Sequence, residues 1–194
     1  MKLLYTKRSP FARKPRVIAL EKNIALDLID EDLQQKSQRL LSANPLGKVP
    51  TLVLDDGTTI YDSPIICQYL DNLDDKVIMI PRQERLRLEV LKWEAFADDL
   101  MVTAINLYME KVRHPKDFHE DFIAGQEKNI RSAYAYIEQH LSKLKEFNLA
   151  PLAVASAMGY LHFRLPHLKA QGKLLQWFEE ISRRPSMAQT LPVV

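Results

Sequence analysis

A single cysteine stands in the 194-residue chain, so no internal disulfide can staple the fold and stability has to come from apolar packing. Cys67 lies in the helical pattern Ser63-Pro64-Ile65-Ile66-Cys67-Gln68-Tyr69-Leu70 and reads as a small core residue. The five histidines (His114, His119, His140, His162 and His167) include no i, i+4 pair of the kind that builds a helical zinc site, so no metal is expected. An excess of charge of one sign is also missing. The formal net charge is +2, with 11 basic and 11 acidic residues up to Ile80 and 16 against 14 beyond it, which gives nucleic-acid binding no support. The longest uncharged run, 147–161, is shorter than the roughly 20 residues of a membrane span and contains Pro151, so it reads as a buried core helix. Lys7 and Arg8 follow the opening residues too soon for a leader segment, and a cytoplasmic protein is expected. No internal repeat or low-complexity tract appears.

What the chain does have is 46% apolar residues, enough for one compact unit with two lobes. Leu3-Leu4-Tyr5 reads as a strand, and Ser9-Pro10 as the N-cap and first residue of a helix that runs to Lys22-Asn23. A second strand at 26–30 completes a βαβ unit, so the first two strands should be parallel. A short helix at 37–43 ends at Asn44-Pro45 because the residue before a proline is pushed out of the helical region. Strands at 51–54 and 59–61 flank the turn Asp55-Asp56-Gly57, and a third helix covers 64–73. This order predicts a four-stranded mixed sheet of thioredoxin-like type over residues 1–75. A joint at 76–81 leads to an all-helical domain over 82–194. Its helices are expected at 82–111, 120–145, 148–161 and 174–181, the uncharged one in the centre.

Three elements converge on one edge of the first lobe. Pro50 cannot donate a hydrogen bond, so it belongs at the mouth of its strand and leaves Val49 just outside the sheet. With a cis Val49-Pro50 bond, the N–H and C=O of Val49 turn outward together and can pair with an extended peptide. Ser63, read as the N-cap of the third helix, offers a carboxylate site through the unpaired N–H groups behind it, and Asp62 beside it suits an ammonium group. The start of the Ser9 helix suits a thiol. Each feature also has an ordinary structural reading as a cap or a strand entry.

These residues resemble the glutathione transferase superfamily, in its bacterial, serine-type form, over nearly the whole chain. Ser9-Pro10-Phe11, Asn44-Pro45-x-Gly47-Lys48-Val49-Pro50-x-Leu52 and Asp62-Ser63-x-Ile65-Ile66-x-x-Tyr69-Leu70 look like its glutathione-site motifs, and Met158-Gly159-Tyr160-Leu161-x-Phe163-Arg164 looks like its core helix. The resemblance implies a glutathione-binding N-lobe, a helical C-lobe that completes a pocket for a second substrate, and a homodimer. It places Ser9 at the glutathione sulfur, with Phe11, Val49, Pro50, Asp62 and Ser63 around the tripeptide and Lys36 and Lys48 at its glycyl carboxylate. Two positions depart from the family pattern. Asp62 is a methylene shorter than the more usual Glu, and Asn148-Leu149-Ala150-Pro151 replaces a Ser/Thr-x-x-Asp cap on the core helix, an effect of at most about 0.5–2 kcal/mol.

The expected function is transfer of the glutathione thiol, as co-substrate, to a small hydrophobic electrophile; the alternative is a non-catalytic adaptor of the same fold that binds a partner protein. Tyr5 is a rival to Ser9, although its place in an apolar strand favours packing. The basic residues Lys7, Arg8, Arg13, Lys14 and Arg16 suit either attraction of an anionic tripeptide or a solvated helix face. Met101, Ile105 and Tyr108 are expected to line the second-substrate pocket. The apolar start of the 82–111 helix and the outer side of the third helix are expected to form the twofold interface.

Overall fold

The computed structural model describes residues 1–193. Its elements in chain order are β1 (Lys2–Tyr5), α1 (Pro10–Glu21), β2 (Asp27–Asp30), α2 (Gln38–Ala43), β3 (Thr51–Val53), β4 (Thr59–Ile60) and α3 (Ser63–Asp71). Then follow α4 (Glu84–Arg113), α5 (Glu120–Gln139), α6 (Leu149–Arg164), α7 (Gly172–Ser182) and α8 (Pro185–Ala188). The four strands form one mixed sheet in the order β2-β1-β3-β4. β1 and β2 run parallel, as the βαβ reading requires, and β1–β3 and β3–β4 are antiparallel.

Register fixes where the site can lie. Leu4, near the end of β1, pairs with Thr51 at the start of β3, and Leu52 pairs with Ile60 at the end of β4. The exit of β1 toward Ser9, the entry of β3 at Val49-Pro50 and the exit of β4 toward Asp62-Ser63 therefore share one end of the sheet. At the opposite end, Gly57 takes φ +88° in the β3–β4 turn, which Thr58 N–H closes by donating to the Asp56 carboxylate at 2.8 Å.

α6 is the centre of the helical part. Every residue from Leu149 to Leu161 is buried, which explains why this helix has no polar face. Asn148 accepts from Ala150 N–H at 2.9 Å and so caps it without the reciprocal carboxylate. Arg164, three residues past the uncharged run, still belongs to the helix, because its last turn emerges from the core. The helix expected at 120–145 is α5 followed by a tighter 3-10 turn over Leu141–Leu144. Leu141 and Leu144, three apart, face the core in either helix type, so the pattern alone did not separate them. No described helix is long and apolar enough to cross a membrane.

Candidate glutathione site

Ser9 is the N-cap of α1, and its Oγ accepts from Ala12 N–H at 3.1 Å. Pro10 has no N–H to satisfy and Arg13 N–H donates to Ser9 C=O at 3.2 Å. The Phe11 N–H is thus left without a partner among the described residues. The Ser9 hydroxyl, having accepted at the cap, remains free to donate its own hydrogen outward. Helix dipole, open N–H and hydroxyl point to the same place.

The second arm is the turn before β3. Asn44, 3% exposed, organises it: its side-chain amide donates to Lys48 C=O and Thr51 Oγ1, both at 3.2 Å, and its carbonyl oxygen accepts from Leu46 N–H at 3.1 Å. Gly47 takes φ +57°, where a Cβ would also lie 2.6 Å from the Lys36 side chain. The Val49-Pro50 bond is cis, the condition under which both backbone groups of Val49 turn outward. Neither the N–H nor the C=O of Val49 finds a partner among the described residues, which leaves one residue of open backbone beside the sheet. Pro50 itself is buried. Lys36 is exposed and donates to Leu46 C=O at 3.1 Å, so it folds onto this turn; Lys48 is exposed.

At the third arm the structure corrects the cap. Asp62, not Ser63, is the N-cap of α3, and Ser63 is its first helical residue. Pro64 misled the placement because a residue without an N–H is tolerated at either of the first two helical positions. The exposed Asp62 carboxylate makes no capping bond and is free for a ligand, while Ile65 and Ile66 N–H both donate to Asp62 C=O at 3.1 Å. The Tyr61-Asp62 bond is also cis. Ser63 is 2% exposed, and neither its N–H nor its hydroxyl is used within the described residues.

Beneath these arms lies a charged group that the sequence did not announce. Lys14 is fully buried, and its Nζ donates to Glu94 at 2.8 Å and to both carboxylate oxygens of Asp98 at 2.7 Å. Burial pushes Asp98 up to about 6 against the pull of Lys14, and Glu94 and Asp62 act in the same direction as burial. Arg13 is 2% exposed, donating to Met187 C=O at 2.9 Å and Thr190 at 3.3 Å. Both readings of the basic cluster, a solvated face and a steering patch, therefore fail for these two residues. Cys67 is buried, and burial raises its thiol well above the usual range, so it stays protonated.

Tyr5 packs as expected, 6% exposed with the Arg16 guanidinium 4.8 Å from its ring centre. Met101 does not: it is fully buried in the core and offers no surface to a second substrate. An apolar residue at a helical step suits a core and a pocket equally, and here the α4–α6 contact claims it. Ile105 and Tyr108, further along α4, are half-buried. Tyr108 accepts from Arg164 at 3.3 Å, which brings into this region a residue that sequence reasoning had treated only as part of a helix motif. Among the described residues no three carboxylate, imidazole or thiol groups converge as metal ligands.

The family model described as glutathione S-transferase, N-terminal domain, matches residues 8–73, the segment that carries all three arms. Across 99% of this chain and 98% of its own length, the uncharacterized GST-like protein YibF of Escherichia coli K12 is 34% identical. A glutathione S-transferase of Methylobacillus flagellatus KT, solved with glutathione bound, superposes with a TM-score of 0.92 at 34% identity and 99% coverage of both chains. A glutathione transferase family member of Pseudomonas fluorescens Pf-5, solved with S-(propanoic acid)-glutathione, superposes with a TM-score of 0.87 at 35% identity and full coverage of both. With this likeness running through the sheet, the site and the helices alike, the chain belongs to the glutathione S-transferase superfamily.

Proposed function

We propose that this chain is a glutathione transferase whose residues 1–75 bind the tripeptide at the three-armed sheet end. The observation that carries it is the set of polar groups left unused there: the Ser9 hydroxyl, the Phe11 N–H, both backbone groups of Val49, the Asp62 carboxylate and Ser63. Together they complement a thiol, an extended peptide unit and an α-amino acid end, in the order glutathione presents them. The glutathione seen in the Methylobacillus flagellatus protein supports the same ligand here.

The chemistry follows from thiol acidity. A free thiol has a pKa of about 8.5, so only a few per cent is thiolate at pH 7. The Ser9 O–H donating to sulfur and the N-terminus of α1 together favour the anion by roughly 1.5–3 kcal/mol. The thiolate forms a C–S bond to an electrophilic carbon, and the displaced electron pair leaves with a departing anion or enters a conjugated acceptor that then takes a proton. Ser9 acts as a donor throughout and accepts no proton from the thiol, whose proton passes to solvent as the thiolate forms.

A dimer is part of the proposal. Ile65 on α3 and Leu86 and Leu88 at the start of α4 are 51%, 53% and 65% exposed, an apolar face that a second copy would cover. Sedimentation at micromolar concentration should give about twice the 22.5 kDa chain mass; a single chain mass would remove the dimer.

Isothermal titration with glutathione tests the central claim. Dissociation constants between micromolar and low millimolar are expected, whereas binding weaker than about 10 mM, under about 3 kcal/mol, would instead favour the adaptor.

A further inference from the structure

Arg164 is a cation without an anion. No carboxylate of the described residues lies within ion-pair distance of it, although Lys14, Lys22, Arg82, Arg131 and Arg184 all have one. Its guanidinium is nonetheless held firmly. The carbon of the guanidinium sits 4.7 Å from the Tyr108 ring centre and 4.5 Å from that of Phe163, and Nη1 donates to the Tyr108 hydroxyl at 3.3 Å. Nε is buried with no partner, and Nη2 makes no hydrogen bond within the described residues. Nε and Nη2 form the side of the guanidinium that a carboxylate bridges with two parallel bonds. A buried N–H left unpaired is costly, and a bound acceptor removes that cost.

The position of this edge relates it to the thiol. α6 meets the first turn of α1 so closely at Gly159 that a Cβ there would lie 2.5 Å from Arg13 Nη1. Tyr160 follows at once; its hydroxyl sits beside the Arg164 guanidinium, close enough to favour a hydrogen bond with it, and lies within electrostatic reach of Tyr108 and of Arg8, the residue before Ser9. Arg8, like Arg164, has no carboxylate partner among the described residues. Tyr108 on α4 and Tyr160, Phe163 and Arg164 in the last turns of α6 therefore gather on the side of the helical part that reaches toward Arg8, and neither arginine has a carboxylate partner among the described residues.

We propose that Arg164 is a specificity-determining residue of the second-substrate site, and that the electrophile class accepted there carries a carboxylate. Such a substrate places its acid on the Nε–Nη2 edge, its apolar body against Tyr108 and Phe163, and its electrophilic carbon toward the Ser9 side. This rests on the glutathione reading above and narrows it: the expected small hydrophobic electrophile becomes an anionic one.

Binding of glutathione adducts tests it apart from turnover. The probes are glutathione itself, S-(2-carboxyethyl)glutathione and S-(2-carbamoylethyl)glutathione, which differ only by acid against amide in the last two, titrated calorimetrically into the full chain. Wild type should bind the acid at least tenfold more tightly than the amide. Arg164→Gln should reduce that ratio to near one with glutathione affinity changed less than twofold, and Arg164→Lys should keep part of the preference. A wild-type ratio near one overturns the proposal while glutathione binding stands, and that ratio decides alone if Arg164→Gln fails to fold. A preference that survives intact in folded Arg164→Gln also overturns it. Absence of binding by all three probes overturns the glutathione reading and this inference with it.

Discussion

Lys14 on α1 donates to both carboxylate oxygens of Asp98 on α4 at 2.7 Å, with Glu94 2.8 Å from the same nitrogen and the ammonium fully sealed from water. Two carboxylates share one cation, so the group carries an excess negative charge directly behind the arm that holds Asp62. Removing the cation leaves the buried Glu94 and the partly buried Asp98 uncompensated. Lys14→Met is expected to cost about 3–5 kcal/mol in urea unfolding at pH 7.5. The loss should shrink at pH 5, where Asp98 accepts a proton.

Asp98 gives the sign of the pH dependence. Its folded value is raised to about 6 by burial, above the ordinary carboxylate value, so its contribution to stability is complete below about pH 4 and is lost as pH rises through about 6. Asp98→Asn removes the titration. The stability of wild type relative to this variant should fall by on the order of 2–3 kcal/mol between pH 4 and pH 7.5. A gap that stays constant over that range would refute the assignment.

Asp71 at the end of α3 ties down the joint between the sheet and the helices. Fully buried, it accepts from Met79 N–H at 2.7 Å and Ile80 N–H at 3.2 Å, and it meets Arg82 at 3.1 Å and Lys22 at 3.7 Å. Asp71→Ala strands two amide donors and removes the buried carboxylate shared by Arg82 and Lys22, although Lys22 keeps Asp74 at 3.2 Å, so a loss of about 3–5 kcal/mol is expected. Hydrogen exchange should locate it, with Met79 and Ile80 amides losing protection before the strands do.

Local signals made much of this legible in advance. Ser9-Pro10 marked a real helix start, Asp56-Gly57 a real turn, and the uncharged 147–161 run the central helix, because each depends on neighbours a few residues away. The failures share a different cause. Lys14 looks like one of five basic residues between positions 7 and 16, and nothing local reveals that its partners come 80 and 84 residues later. Asp71 likewise looks like an ordinary helix-end acid. Arg164 was read in a core-helix motif, but its relation to Tyr108, 56 residues away, exists only once α4 and α6 pack. Met101 was misplaced because periodicity identifies the apolar face of a helix without saying which part faces protein and which faces a ligand.

His162 near the end of α6 should resist protonation. Its Nε2 accepts from Ala170 N–H at 3.1 Å, which requires that nitrogen to be bare, and burial, helped by Lys169, pulls the imidazole down to about 4. A depressed value means the contribution is present above about pH 6.5 and lost as pH falls toward 4. The ring is partly exposed, so solvent screening limits the effect to on the order of 1 kcal/mol. A proton-NMR titration midpoint below 5 is expected for this ring; a midpoint at or above 6.5 would show that the Ala170 bond does not hold.

Ser9 and Asp62 should separate rate from binding. In the proposed mechanism Ser9 contributes one hydroxyl to a thiolate that α1 also favours, and the cap bond to Ala12 does not consume that hydrogen. Losing the donor removes its share of the roughly one to two pKa units that it and α1 give together, and with it the placement of the sulfur, so Ser9→Ala should lower kcat about ten- to a hundredfold with little change in glutathione affinity. The lost cap costs a further ~1 kcal/mol of stability, small enough to leave the protein folded. In the proposed binding mode Asp62 faces the ligand end far from the sulfur, and it makes no capping bond of its own, so Asp62→Ala should weaken glutathione binding first and spare kcat at saturation. Tyr5 provides the control: packed under Arg16, it should tolerate Tyr5→Phe without loss of rate. An inactive Tyr5→Phe beside a fully active Ser9→Ala would transfer the donor role to the tyrosine, and full activity in both would leave the N-terminus of α1 as the only activator of the thiol.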